Sequence, residues 1–497
     1  MTAIQQEQKN WQQEYLQTFI QRYTQRTQTS KNLAQQYRPV LADKTSIGFN
    51  FSPEIKELCY PIAVERSSGS RLWDVDGNEY IDILMGLGIN LCGHNPLFVQ
   101  TAIAEQLQRG MHIGVQNALA GEVAELISDL TGMERVTFSN TGTEAVMTAV
   151  RIARAATKRQ KIAIFTNSYH GHFDAVLVRA TRTEYVKKGI RRAIDCKAQS
   201  GSFFGKLAQP IQANLAANLN PKAVPAATGI PASAACDVLI LEYGNERSLD
   251  IIRKYRHELA AVLVEPVQSR HPELQPREFL HQLRQITQQL GIVLIFDEMV
   301  TGFRIHPGGA QAWFGVQADI ATYSKIVGGG LPIAVIAGKA SYMDYIDGGQ
   351  WRFGDDSSPQ IPTTFFAGTF CKHPLALAAA RATLQHLKTQ GIALHEQLNQ
   401  RTSQLVSDLN TEMKNKGIVI KFTSFGSFFA IAASQSAIPP IAMNLLSYHL
   451  LAKGIHLRQG DKGGFLSTAH TDTDIHTIKQ AWIESINELK TGGFMTD

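Results

Sequence analysis

Cysteine is scarce in this sequence: Cys59, Cys92, Cys196, Cys236 and Cys371 are scattered, odd in number and never spaced as CxxC. That pattern argues against a disulfide framework and a zinc ribbon, and suits reduced thiols in a cytoplasmic protein. Long apolar runs are missing as well. Nothing approaches the roughly 20 residues that a membrane-spanning helix needs, and the N-terminus is rich in glutamine where a secretory signal would be apolar. The expectation is a protein that is neither exported nor membrane-spanning. Charge of one sign is also lacking, since 48 basic against 43 acidic residues leave only +5. So small an imbalance does not call for nucleic acid, although a mildly acidic partner would suit it. The GxxxxGK[ST] and HExxH patterns are absent, and Gly86-Leu87-Gly88 lacks the third glycine of a dinucleotide fingerprint.

What is present is a chain of 497 residues, 44% hydrophobic and 18% charged. That is a soluble globular composition, long enough for a large α/β catalytic domain and a smaller partner. Eleven of the first 40 residues are glutamine, while Trp11, Tyr15, Leu16, Phe19, Ile20 and Tyr23 recur at helical spacing. Residues 1–45 therefore read as an amphipathic helix with a polar leash, either an ordinary N-terminal helix packed on the domain behind it or a linker from a longer polypeptide.

From Arg71, RLWDVDGNEYIDI predicts a β-hairpin turning at Asp76-Gly77-Asn78. Beyond about residue 115, helical stretches alternate with short apolar strands, VTFS, IAIF, VLIL, AVLVE and IVLIFDE. Such alternation predicts a mainly parallel sheet covered on both faces. Between the last two strands, Pro276 opens a helix whose apolar stripe is Phe279, Leu280, Leu283, Ile286 and Leu290, with Gly291 to close it. Residues 206–235 read as a long loop with broken helix, and the chain after Pro374 as helix, strands near 417–432, then helix, a small α+β domain. The expected division is a small-domain part over 46–114, a large domain over 115–370 and the rest of the small domain over 371–497.

In open α/β sheets ligands bind beyond the carboxyl ends of the strands, so polar residues just after strands are the candidates. Thr141, Gly142 and Thr143 follow VTFS and open a helix, a phosphate site by geometry and dipole that also reads as ordinary capping. Asp297 ends IVLIF, where a desolvated carboxylate needs a cationic partner such as a pyridinium nitrogen; a helix cap or a metal ligand, with Glu298 beside it, are the alternatives. A typical lysine is a solvated surface charge, but Lys325 follows IATYS and precedes Gly328-Gly329-Gly330, a glycine run that leaves room for a bulky ligand on a Schiff-base lysine. Tyr169 in NSYHGHFD offers a ring to stack on a flat heteroaromatic, or else is a strand-end tyrosine capping the core. His170 and His172 form an HxH pair with no accompanying ligand cluster, which argues against a metal site.

SNTGTEAV, SYHGHFD, VEPVQ, FDEMVTGFR, SKIVGGGLP and AGTF occur in the order seen in class III pyridoxal-phosphate (PLP) aminotransferases. Over residues 55–490 the chain resembles most the glutamate-1-semialdehyde aminomutase branch. The resemblance implies the fold type I PLP-transferase architecture, a large domain with a mainly parallel seven-stranded sheet plus a small α+β domain. It implies that Gly142 and Thr143 hold the cofactor phosphate with Thr141 beside them, and that Tyr169 stacks on one ring face and Met299 covers the other. Asn245 and Glu265 match positions on the ring's oxygen side, Asp297 pairs with the pyridine nitrogen and Lys325 forms the Schiff base. Thr369 matches a residue that reaches the neighbouring subunit's phosphate, which implies a homodimer with shared sites. Met299 stands where valine is usual and Thr141 where serine is usual.

A narrower resemblance joins ELCYPIAVERSSGSRLWDVDGNEYIDI, GHNP, RFGDDSSP and FFAGTFCKHPLALAAARATLQHLK to the aminotransferase domains of hybrid polyketide/nonribosomal peptide synthases, with the stretch ending in RPVLAD resembling the linker before them. It implies amination of a β-ketoacyl chain on an acyl carrier protein, from an amino acid donor and through pyridoxamine phosphate. Lys187, Lys188, Arg191 and Arg192 make a basic cluster that suits such a carrier, or a solvated surface loop. The competing readings are a glutamate-1-semialdehyde 2,1-aminomutase or freestanding small-molecule aminotransferase, another PLP reaction such as racemisation or decarboxylation, and a non-catalytic module that has kept the fold.

Overall fold

The structure, a computed structural model, describes residues 3–44, 51–180 and 223–495. Its centre is a seven-stranded sheet. The strands are β1 (Arg135–Ser139), β2 (Lys161–Phe165), β3 (Val238–Leu241), β4 (Leu259–Val264), β5 (Val293–Asp297), β6 (Ile320–Tyr323) and β7 (Ala334–Gly338). They lie side by side as β1-β7-β6-β5-β4-β2-β3. Strands β6, β5, β4, β2 and β3 run parallel, and β7 runs against both β6 and β1. Every residue of β4 and β5 is buried, which is why these strands read as continuous apolar runs and not as alternation.

The helix between β4 and β5 is Arg277–Leu290, with Phe279, Leu280, Leu283 and Ile286 buried. Gly291 closes it in the left-handed conformation at φ 60°, which a residue with a Cβ adopts only at a cost.

The hairpin at Asp76-Gly77-Asn78 forms as expected, Arg71–Asp74 pairing antiparallel with Glu79–Asp82. Its second strand is joined in parallel by Ile455–His456, so the two ends of the chain share one sheet. A second small sheet takes Phe422–Phe425, Phe428–Ile431 and Gly463–Phe465. The helix Pro374–Asn415, broken at Gly391, connects these elements to the large sheet.

Residues 3–37 form two helices, Ala3–Arg26 and Gln28–Tyr37. Leu16, Phe19 and Tyr23 are buried, and Phe19 stacks on His449 with ring centroids 4.1 Å apart. Burying a side chain of that size contributes about 1.5–3 kcal/mol. Trp11 Nε1 donates to Thr491 O at 3.0 Å, Arg26 Nη1 to Ala452 O at 2.7 Å, and Ser30 Oγ to Asp76 Oδ2 at 2.7 Å. The glutamine-rich front is thus helical through Tyr37 and packed on the C-terminal elements.

Asp82 ties this region together. Its carboxylate accepts from His94 Nε2 and His456 Nδ1, each at 2.7 Å, and from the backbone N–H of Leu84 at 2.9 Å and Met85 at 3.1 Å. Burial alone would raise this carboxyl, but the hydrogen bonds from His456 and His94 outweigh it and hold the group well below the usual carboxylate range. A folded-state value below the unfolded one stabilises fully above the unfolded value near 4, and the contribution is lost as pH falls below it. Asp82→Asn is therefore expected to cost about 1–3 kcal/mol at neutral pH, because one amide oxygen cannot replace both carboxylate oxygens that the partly buried His94 and His456 imidazoles use. Urea unfolding should show the lowered midpoint, with the difference from wild type shrinking in acid.

Candidate active site

Register explains why the site assembles where it does. Val264 pairs with Phe296, so Glu265 and Asp297 emerge from neighbouring strands at one level. Asp297 in turn pairs with Thr322, three positions before Lys325. The ends of β1 and β2 deliver Thr141–Thr143 and Tyr169–His170 to the same edge of the sheet. This is the crevice that the strand-end rule predicts.

Asp297 is 3% exposed. His170 Nδ1 donates to its Oδ2 at 2.7 Å, and the Met299 N–H donates to its Oδ1 at 3.2 Å. Both oxygens are therefore fixed. His170 is itself buried, and its Nε2 has no hydrogen-bond partner among the described residues. The sequence reading weighed His170 only as half of an HxH metal pair and so missed it as the partner of Asp297. The available signal was its position directly after a strand-end tyrosine. No group of three His, Cys, Asp or Glu residues able to hold a metal ion is present among the described residues. Glu298, the other half of the metal alternative, instead accepts from Ala310 N at 2.7 Å, Thr301 Oγ1 at 2.9 Å and Gln311 N at 3.1 Å. Burial pushes its carboxyl up to about 7.

Glu265 lies beneath Tyr169, accepting the Tyr169 N–H at 2.9 Å and the Ser269 N–H at 3.3 Å. Burial holds the Glu265 carboxyl above its ordinary range, reinforced by Asp297 and opposed by His170. Tyr169 is half-exposed, with the Arg270 guanidinium 6.0 Å from its ring centroid.

Lys325 opens a short 3-10 turn, Lys325–Gly328, with φ at +47°. Left-handed backbone at a lysine is costly and is found where the surroundings dictate the side chain's direction. Burial pushes its amine below the ordinary lysine value; Asp297 pulls it up, Arg304 adds to the lowering and Glu265 again pulls up. A lysine so placed carries a free, nucleophilic amine over more of the pH range.

The helix Gly142–Thr157 begins at the site, with the Thr141 hydroxyl accepting the Glu144 N–H at 3.2 Å as its cap. Glu144 Oε2 reciprocates on the Asn140 N–H at 2.8 Å. The capping reading of Thr141 therefore holds, while Gly142 and Thr143 keep the first-turn N–H groups that suit an anion. Close approach is built in. A Cβ on Gly142 would lie 2.8 Å from Met299 Sδ, and one on Gly171, at φ +90°, only 2.6 Å from Thr143 Oγ1. Thr143 Oγ1 also accepts the His172 N–H at 3.3 Å.

Two candidates stand apart. Asn245 caps the helix Glu246–Lys254, accepting the Arg247 N–H at 3.0 Å and donating to Glu242 at 2.9 Å, so its amide is engaged within its own loop. Thr369 is exposed on a turn that packs beside Asn140 through Cys371. The basic cluster of Lys187, Lys188, Arg191 and Arg192 lies outside the described residues.

The residues present fit pyridoxal phosphate. There is a glycine-lined helix N-terminus for an anion, a half-exposed aromatic ring, a buried carboxylate oriented by a histidine, and a partly buried lysine at the neighbouring strand end.

Comparison with known proteins agrees. Residues 53–470 match the family described as Aminotransferase class-III. Glutamate-1-semialdehyde 2,1-aminomutase from Alkaliphilus oremlandii is 34% identical over 444 residues, 86% of this chain and 92% of the relative. The counterpart from Chloroflexus aggregans is 32% identical, over 86% and 91%. Among solved structures, a transaminase with PLP bound superposes with TM-score 0.76 at 28% identity, covering 94% of this chain and 99% of the other. An omega-transaminase from Sphaerobacter thermophilus does so with TM-score 0.75 at 25% identity, covering 93% and 98%. Extending over most of the chain and including the crevice just described, these matches show that the protein belongs to the class III aminotransferases, the PLP-dependent enzymes of fold type I.

Proposed function

We propose that this chain transfers an amino group from an amino acid donor to the β-keto position of an acyl chain carried on an acyl carrier protein, as a cytoplasmic domain of a polyketide/nonribosomal peptide synthase. Support for amino transfer comes from the convergence of Lys325, Asp297, His170 and Glu265 at adjacent strand ends. Support for the carrier-bound substrate comes from the RFGDDSSP and FFAGTF segments, which lie on the stretch 351–370.

When bound, pyridoxal phosphate supplies a carbonyl that accepts the donor's amino group and a ring that takes up the electron pair left at the donor's Cα. Gly142 and Thr143 would hold its phosphate, Tyr169 and Met299 its two faces, and Glu265 its oxygen side. Asp297, kept in place by His170, holds a proton on the ring nitrogen. The Lys325 amine removes the proton from the donor's Cα as general base and delivers it again as general acid. Asn245 and Thr369 rest on resemblance alone as cofactor contacts.

The stretch 351–370 also suits a second copy of the chain. Trp351, Phe353, Phe365 and Phe370 are all exposed, Phe353 at 90%, which is much apolar surface for a free face. A homodimer would cover it and bring Thr369 to the partner's phosphate loop.

The aminomutase reading is favoured by the relatives at 32–34% identity, which carry that name. The experiment that separates the two is intact-mass analysis of a β-ketoacyl carrier protein incubated with the chain, PLP and amino donors. The expected result is conversion of the carrier-bound ketone to an amine. Conversion of free glutamate-1-semialdehyde with an unaltered carrier would favour the aminomutase.

A further inference from the structure

Arg304 ends the FDEMVTGFR segment, and the chemistry above gives it no role. It is 1% exposed. Nε donates to Val300 O at 2.8 Å, Nη1 to Ser427 Oγ at 2.9 Å and Nη2 to Gly88 O. The guanidinium lies 4.7 Å from the centroid of the Phe465 ring. All of these partners are neutral, and Arg304 makes no ion pair with a carboxylate among the described residues. A buried cation without a counter-ion is costly, so packing alone is a poor reason to place arginine here.

Its surroundings lead to Lys325. Gly302 is pressed on β6, where a Cβ would come within 2.6 Å of Tyr323 Cδ1, and the Phe303 ring sits 5.2 Å from that of Tyr323. The loop bearing Arg304 therefore lies against the strand that ends two residues before Lys325. On the other side, the Met85–Gly88 turn, left-handed at Gly86, Leu87 and Gly88, packs against Lys325–Gly328 and gives Arg304 its carbonyl. A Cβ on Gly88 would lie 2.7 Å from Arg304 Nη2, which ties that glycine to the contact. The charged groups acting on Lys325 are the carboxyls of Asp297 and Glu265 and, opposing them, the Arg304 guanidinium; His170 acts through its bond to Asp297. Between two carboxyl groups alone, a lysine would be drawn towards its protonated form, which can neither attack a carbonyl nor accept a proton.

We propose that Arg304 is a positioning residue for Lys325: a buried cation, fixed by Val300, Ser427 and Gly88, that sets its charge against the carboxyls of Asp297 and Glu265 around the Lys325 amine and holds the Met85–Gly88 turn against it. The role does not depend on which acyl substrate is used.

The test measures the amine directly, with no turnover. The full-length chain, freed of cofactor, is pulse-labelled with acetic anhydride across a pH series, and modification of Lys325 is followed by peptide mass spectrometry against exposed lysines. Wild type should label with a midpoint below that of the exposed lysines. In Arg304→Gln, loss of the like charge should raise the midpoint and slow labelling at neutral pH by about tenfold, the equivalent of one pH unit. Arg304→Lys, which keeps the charge, should stay close to wild type. Unchanged labelling in a folded Arg304→Gln overturns the proposal. If Arg304→Gln does not fold, the other two proteins decide. A wild-type midpoint at or above that of the exposed lysines, or a tenfold slowing in Arg304→Lys, is equally contrary.

Discussion

Lys325→Ala is expected to retain pyridoxal phosphate without a covalent bond and to lose about four orders of magnitude in turnover. The size follows from removing the nucleophile that exchanges with the donor and the general base that moves its Cα proton, the latter alone contributing about 10²–10⁴-fold. Non-covalent retention is expected because Gly142 and Thr143, proposed to hold the phosphate, and the buried Asp297 belong to other strand ends and are untouched. A steady-state amino-transfer assay gives the first quantity, and absorbance after gel filtration gives the second. Turnover within tenfold of wild type would show that Lys325 is not the lysine of the site.

The next largest effect is expected at Asp297. In Asp297→Asn the side chain keeps its volume and loses its charge, so nothing holds a proton on the cofactor's ring nitrogen. Removal of one such preorganised electrostatic group lowers kcat by about 10²–10³-fold. The partnership with His170 sharpens this expectation. An amide can meet His170 Nδ1–H through its oxygen, so a folded and rate-impaired Asp297→Asn would attribute the loss to charge and not to collapse. Stopped-flow measurement of the first half-reaction with an amino donor is the check, with circular dichroism as the control. A half-reaction at the wild-type rate would remove Asp297 from the chemistry.

The middle of the large sheet was readable because Val238–Leu241, Leu259–Val264 and Val293–Asp297 are buried throughout and so appear as apolar runs ending at a polar residue. Asp297, Lys325 and Thr141–Thr143 stood out for the same reason: a charged or hydroxylic residue just after such a run occupies the crevice edge. The helix Arg277–Leu290 was equally plain, since its stripe and closing glycine are local properties. What escaped is non-local. The antiparallel strand Ala334–Gly338 is short and rich in small residues, and its direction is set by pairing with Arg135–Ser139, some 200 residues earlier. The parallel pairing of Ile455–His456 with Ile81–Asp82 carries no local mark, nor does the pair of histidines on Asp82. His170 shows the same limit within the site, because its role depends on a carboxylate 127 positions away. Asn245 shows the reverse, a position suggested by resemblance whose side chain the local backbone uses as a cap.

The central claim is that a cofactor aldehyde is held by one particular lysine. The measurement that reaches it most directly is borohydride reduction of the full-length holoenzyme, followed by proteolysis and mass spectrometry of the cofactor-bearing peptide. The account predicts a phosphopyridoxyl group on Lys325, in the peptide containing Ser324-Lys325-Ile326. Stoichiometric label on any other lysine, with Lys325 unmodified, would contradict it.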